Sequence, residues 1–178
     1  MTDRAGSSDG RLSEPATSVP GAPTAWALSL AGALPFVVSA LFLLIAGRES
    51  LWFDWALDVA RTYGAVILSF VAGIRWGAAL RARPVAFGAG DEGAGRTFFV
   101  SVIPSLAAWF SLLLEPIFGL AFLSAVFALQ GVWDAYSGPR TFGPDTGTAP
   151  LPLWFVRLRV TITFIVVASL LLALVAVA

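Results

Sequence analysis

Few residues in this chain could do chemistry, and most of those sit where chemistry is costly. Arg75 lies inside the apolar run YGAVILSFVAGIRWG, from Tyr63 to Gly77. Gln130 and Asp134 close a second apolar run, and Arg157 and Arg159 open a third. An ionisable side chain at membrane depth is expensive, so by default it marks a partner, a pathway or a site. Gln130 and Asp134 are four residues apart and share a helical face, presenting an amide and a carboxylate together. A bidentate arginine–carboxylate pair would satisfy both charges, which makes Asp134 the natural partner for Arg75. The other reading of Arg75 is that its long stem snorkels to the interface. Arg157 and Arg159 point to opposite faces of a helix, so at most one joins such a cluster and the other anchors topology. The expected intramembrane polar cluster is Arg75, Gln130, Asp134 and Arg157.

The chemistry open to that cluster is charge pairing, or lining a polar cavity. The chain has no cysteine and no histidine, which removes disulfides, thiol chemistry, haem ligation through His and the usual zinc sites. No catalytic, cofactor-binding or metal-binding residue is expected, and the chain is read as no enzyme. Of 178 residues 58% are hydrophobic and 12% are charged, well outside the range of soluble domains. Eleven acids balance eleven bases, which excludes a broad electrostatic case for nucleic-acid binding. The partners expected are the lipid bilayer and a second copy or another membrane protein.

The elements that must position these residues are helices. A span needs about 20 mostly apolar residues. Five stretches qualify as transmembrane helices: Trp26–Ala46, Leu57–Leu80, Phe98–Leu114, Ile117–Trp133 and Trp154–Ala178. The fold class is therefore all-α, a polytopic membrane domain over residues 25–178 behind a disordered polar tail at 1–24. The third and fourth spans meet at Glu115-Pro116, a tight turn in which proline suits a first helical turn and the acid suits the positive dipole end. Pro35 and Pro104 should kink the spans that hold them.

Orientation follows from arginine. The side shared by the N-terminus and the second and fourth loops carries Arg4, Arg11, Arg81, Arg83, Arg96, Arg140, Arg157 and Arg159. The other carries only Arg48 and Arg61. The N-terminus is therefore placed in the cytoplasm and the C-terminus outside. Arg48, Glu49, Asp54, Asp58 and Arg61 crowd the first loop and read as interfacial charges, with Asp58 and Arg61 spaced as an i,i+3 pair. The loops near 81–97 and 135–153 are rich in Gly and Pro and read as flexible linkers. In the second span Ala65, Ser69, Gly73 and Gly77 recur every fourth residue, a small-residue stripe read as packing within the chain more than as a dimer contact.

Together YGAVILSFVAGIRWG, the Gln130–Trp133–Asp134 group and PLWFVRLRVTIT (152–163) resemble the transmembrane protein 69 family, a domain of unknown function in bacteria and mitochondria. The likeness covers about residues 25–178. Its motif positions here are Tyr63, Gly64, Ser69, Gly73, Arg75, Trp76, Gly77, Gln130, Asp134, Trp154 and Arg157. The resemblance implies a small multi-span helical membrane protein with no assigned activity, cofactor or catalytic residue. The acids Asp3, Asp9 and Glu14 argue against a mitochondrial presequence, so a bacterial inner membrane is expected. Two functions remain: a non-enzymatic helix-packing or complex-assembly component, or a small carrier or channel-like protein with a cytoplasm-facing cavity around Arg75 and Asp134.

Overall fold

A computed structural model describes residues 21–81, 91–141 and 153–178. These form five helices: α1 Ala22–Ala46, α2 Phe53–Arg81, α3 Asp91–Leu113, α4 Pro116–Thr141 and α5 Leu153–Val177. No strand occurs among the described residues. Most of the expected polar tail and the middles of the two long loops lie outside them.

The helices run past the apolar stretches that announce them. α1 begins with Pro23 in its first two positions, preceded by Gly21 at φ 92°, so residues 22–24 belong to the helix and not to the tail. α2 begins at Phe53 and not at Leu57, because Asp54 in its first turn complements the helix dipole. α3 starts at Asp91, and α4 continues to Thr141, so both take in segments expected to be linker. Pro35 and Pro104 remain inside unbroken helices. The α3–α4 turn falls at Glu115-Pro116, where the Glu115 carbonyl accepts the Gly119 amide at 2.8 Å. That bond makes Glu115 the N-cap of α4.

α2 packs most closely on α3, and α5 on α1 and α4, which closes a ring with α2 also touching α4 across the middle. Phe36, Leu68, Leu120, Leu123, Val166 and Leu170 are fully buried at its centre. Phe36 lies 5.1 Å from the Tyr63 ring and meets Phe127 edge-on at 5.8 Å. The Tyr63 hydroxyl donates to the Gly32 carbonyl at 2.8 Å, tying α2 to α1. Gly64 allows the approach of α4, since a Cβ there would stand 2.7 Å from Leu123 Cδ2. Ser69, Ser124 and Ser169 each return a hydrogen bond to the carbonyl four residues back, which hides their hydroxyls from an apolar medium.

Among the described residues four helices are long and apolar enough to cross a membrane: α1, α2 over Phe53–Ile74, α4 over Pro116–Tyr136 and α5 over Trp154–Val177. The apolar part of α3 is shorter, Phe99–Leu113, about 22 Å at 1.5 Å per residue. The outer surface is apolar: Ile45, Phe70, Phe99 and Phe164 are each more than 70% exposed. Lipid solvates such a surface and water does not.

Candidate functional site

Among the described residues the charged side chains gather toward the two ends of the bundle. One end holds the α1–α2 connection, the α3–α4 turn and the last turn of α5; we call it the turn end. The other, the tail end, holds the start of α1 and the last turns of α2 and α4.

At the tail end, α4 and α5 face each other across Gln130, Asp134 and Arg159. Gln130 is buried, and its Nε2 donates to Asp134 Oδ1 at 3.0 Å. Arg159 Nη2 donates to the other carboxylate oxygen, Oδ2, forming an ion pair. The two charged side chains are 16% and 14% exposed, so most of the pair is withdrawn from solvent. Each oxygen of Asp134 thus has its own donor, which is what a carboxylate in a low-dielectric site requires. Close helix approach makes this possible. At Gly131 a Cβ would collide with Thr163 Cγ2 and stand 3.0 Å from Thr163 Oγ1.

The arginine of α5 that reaches Asp134 is Arg159; Arg157 is exposed. Two residues rotate a side chain by about 200°, and the buried side of α5 runs through Leu158, Val166, Leu170, Ala173 and Val177. Arg159 borders that side, whereas Arg157 does not. Arg75 belongs to α2, but its side chain lies outside the described residues. Along the small-residue stripe, Ala65 is buried, while Gly73 and Gly77 are exposed, and a Cβ added at either would meet no described atom within 4 Å. The close contact of this helix comes instead at Gly64.

At the turn end two arginines cap helices. Arg48 Nη2 donates to the carbonyl of Val177 at the end of α5. Arg61, only 6% exposed, sends its Nη2 to the carbonyls of Ser111, Leu112 and Leu114 at 3.1, 3.3 and 2.8 Å. The last carbonyls of a helix have no intrahelical partner, and a cation there also complements the dipole. Asp58 stands 3.5 Å from Arg61 Nη1, but its side chain is 70% exposed, so the carbonyls and not this carboxylate dominate. Gly119 completes the arrangement: a Cβ there would strike the Ser111 carbonyl and stand 2.7 Å from Arg61 Nη2.

Sequence reasoning placed Arg61 among interfacial charges. The structure buries it, because α2 starts one turn earlier than its apolar run and carries Arg61 two turns into the bundle. A signal existed: Phe53, Ala56, Leu57, Ala60 and Leu68 are spaced as one helical face, and Arg61 falls on it.

Helices of this length, an apolar outer surface and, among the described residues, charged side chains gathered toward the two ends of the bundle define a small polytopic helical membrane protein. The chain belongs to the family described as protein of unknown function (DUF3429), whose model matches residues 21–175. It is similar to Transmembrane protein 69 of Xenopus tropicalis, with 32% identity over 143 residues that cover 80% of this chain and 50% of the relative. The chain thus spans about half the length of the curated relative it matches. No solved structure matches it.

Proposed function

We propose that this protein is a non-enzymatic membrane component that works by packing helices, against a second copy or another membrane protein, in the assembly or stability of a larger complex. The observation that supports this most is how charge is used. Arg61 binds α2 to the end of α3, and Asp134 with Arg159 binds α4 to α5. These charges fasten helices together and are largely withdrawn from water, whereas a solute path needs polar groups directed into it. The arginine distribution supports a cytoplasmic tail end with the C-terminus outside, and the acids Asp3, Asp9 and Glu14 favour a bacterial inner membrane over a mitochondrial one.

One observation favours the second reading, a small carrier or channel-like protein. The Asp134 carboxylate keeps 14% exposure at the tail end, where a cytoplasm-facing cavity around Arg75 and Asp134 would open. Isolation in mild detergent followed by mass analysis of the intact particle separates the two. A stoichiometric protein partner, or a dimer without solute flux in vesicles, is the outcome expected of a packing component. A bare homo-oligomer that conducts solute, and loses conduction on Asp134→Asn, refutes it.

A further inference from the structure

The turn end does not sit at one height. Arg48, just past the end of α1, joins it to the Val177 carbonyl at the end of α5. The connection from Gly47 to Trp52 is tight, closed by Ser50 N to Gly47 O at 3.2 Å and Phe53 N to Ser50 O at 3.0 Å, so α2 starts near the same level. On this flank the apolar surface continues to the final turn: Ile45 is 83% exposed on α1 and Val175 70% exposed on α5. On the opposite flank exposed carboxylates interrupt it lower down, although Trp52 and Trp55 remain exposed above them, as aromatic side chains do at a membrane interface. Asp58 is five residues into α2, about 7 Å below Phe53 at 1.5 Å per residue, and its side chain is 70% exposed. Arg61 fixes the end of α3 at this lower level through three carbonyls, and Glu115 in the α3–α4 turn is exposed beside it.

An exposed carboxylate does not belong in hydrocarbon, and an exposed isoleucine does. Both are satisfied when the lipid boundary lies at different heights on the two flanks. The helices agree. α1 runs 25 residues without a charge, about 37 Å at the helical rise. The apolar part of α3 is confined to Phe99–Leu113, about 22 Å against a hydrocarbon core of roughly 30 Å. Lipid follows such mismatch by thinning locally, at a modest cost per ångström.

We propose that the bundle meets the bilayer with unequal hydrophobic heights, and that phospholipid headgroups dip by about one helical turn along the α2–α4 flank to reach Asp58 and Glu115. The partner of this surface is the lipid itself, and the inference holds whichever function the protein serves. The chain has no cysteine, so single thiols report cleanly. Asp58→Cys, Glu115→Cys and Ile45→Cys are each reconstituted in dioleoyl phosphatidylcholine vesicles with a charged maleimide on both sides of the membrane. Asp58→Cys and Glu115→Cys are expected to label, while Ile45→Cys, nearer the end of its helix, stays protected. Because Asp58 touches Arg61, Glu115→Cys supplies the reading that does not disturb that contact. Labelling of Ile45→Cys as fast as Glu115→Cys overturns the proposal, as does protection of Asp58→Cys and Glu115→Cys together.

Discussion

Replacing Arg61 by methionine keeps an unbranched stem in the core and removes the guanidinium. Three carbonyls surround a single Nη2, which carries two hydrogens, so about two full hydrogen bonds are lost. A hydrogen bond to a charged donor contributes about 1.5–3 kcal/mol, and carbonyls stranded away from water add to the loss. The guanidinium's own burial cost is recovered, and its Nε is buried without a partner among the described residues. A net destabilisation of about 2–4 kcal/mol follows. Arg61→Lys retains one donor at this depth and should lose about half as much. Asp58→Asn should cost less than about 1 kcal/mol, because an exposed pair contributes little. Reversible unfolding in mixed micelles, followed by helicity as the denaturing detergent fraction rises, measures all three. If Arg61→Met unfolds at the same detergent fraction as the parent, or if Asp58→Asn costs as much as Arg61→Met, the capping role assigned to Arg61 is refuted.

Gly119→Ala pushes a Cβ into the Ser111 carbonyl, which as backbone cannot yield, and should cost about 1–3 kcal/mol. Combined with Arg61→Met it should cost less than the sum in the same unfolding assay, since both loosen one junction. Gly131→Ala should destabilise by a similar amount through its clash with Thr163, and Thr163→Ala in the same chain should restore most of the loss. A neutral Gly131→Ala, read by thermal unfolding, would mean that α4 and α5 do not approach as closely as described.

Much of the architecture was legible because its signals are local. Helix number and order followed from apolar length, the α3–α4 turn from Glu115-Pro116, and the Gln130–Asp134 contact from a four-residue spacing on one helix. The facing of helices was less legible. α5 carries no charge between Val160 and Val177, and its few hydroxyls, Thr161, Thr163 and Ser169, mark no single face, so no period in its sequence tells which face is buried. The choice between Arg157 and Arg159 rests on that facing. Arg61 was misread for another reason, since its depth depends on where α2 begins. The helix starts in the charged segment FDWALD, which apolar length alone assigns to a loop.

That buried charge here serves to hold helices together is tested most directly by a double-substitution cycle on Asp134 and Arg159. Asp134→Leu and Arg159→Leu are made singly and together, and the amount of folded protein in the membrane and its unfolding in mixed micelles are measured. Each single change breaks the ion pair that joins α4 to α5 and should be strongly damaging, by about 3 kcal/mol or more. The double substitution should be less damaging than either single one. Additive losses, with the double variant the weakest of the three, would contradict the account.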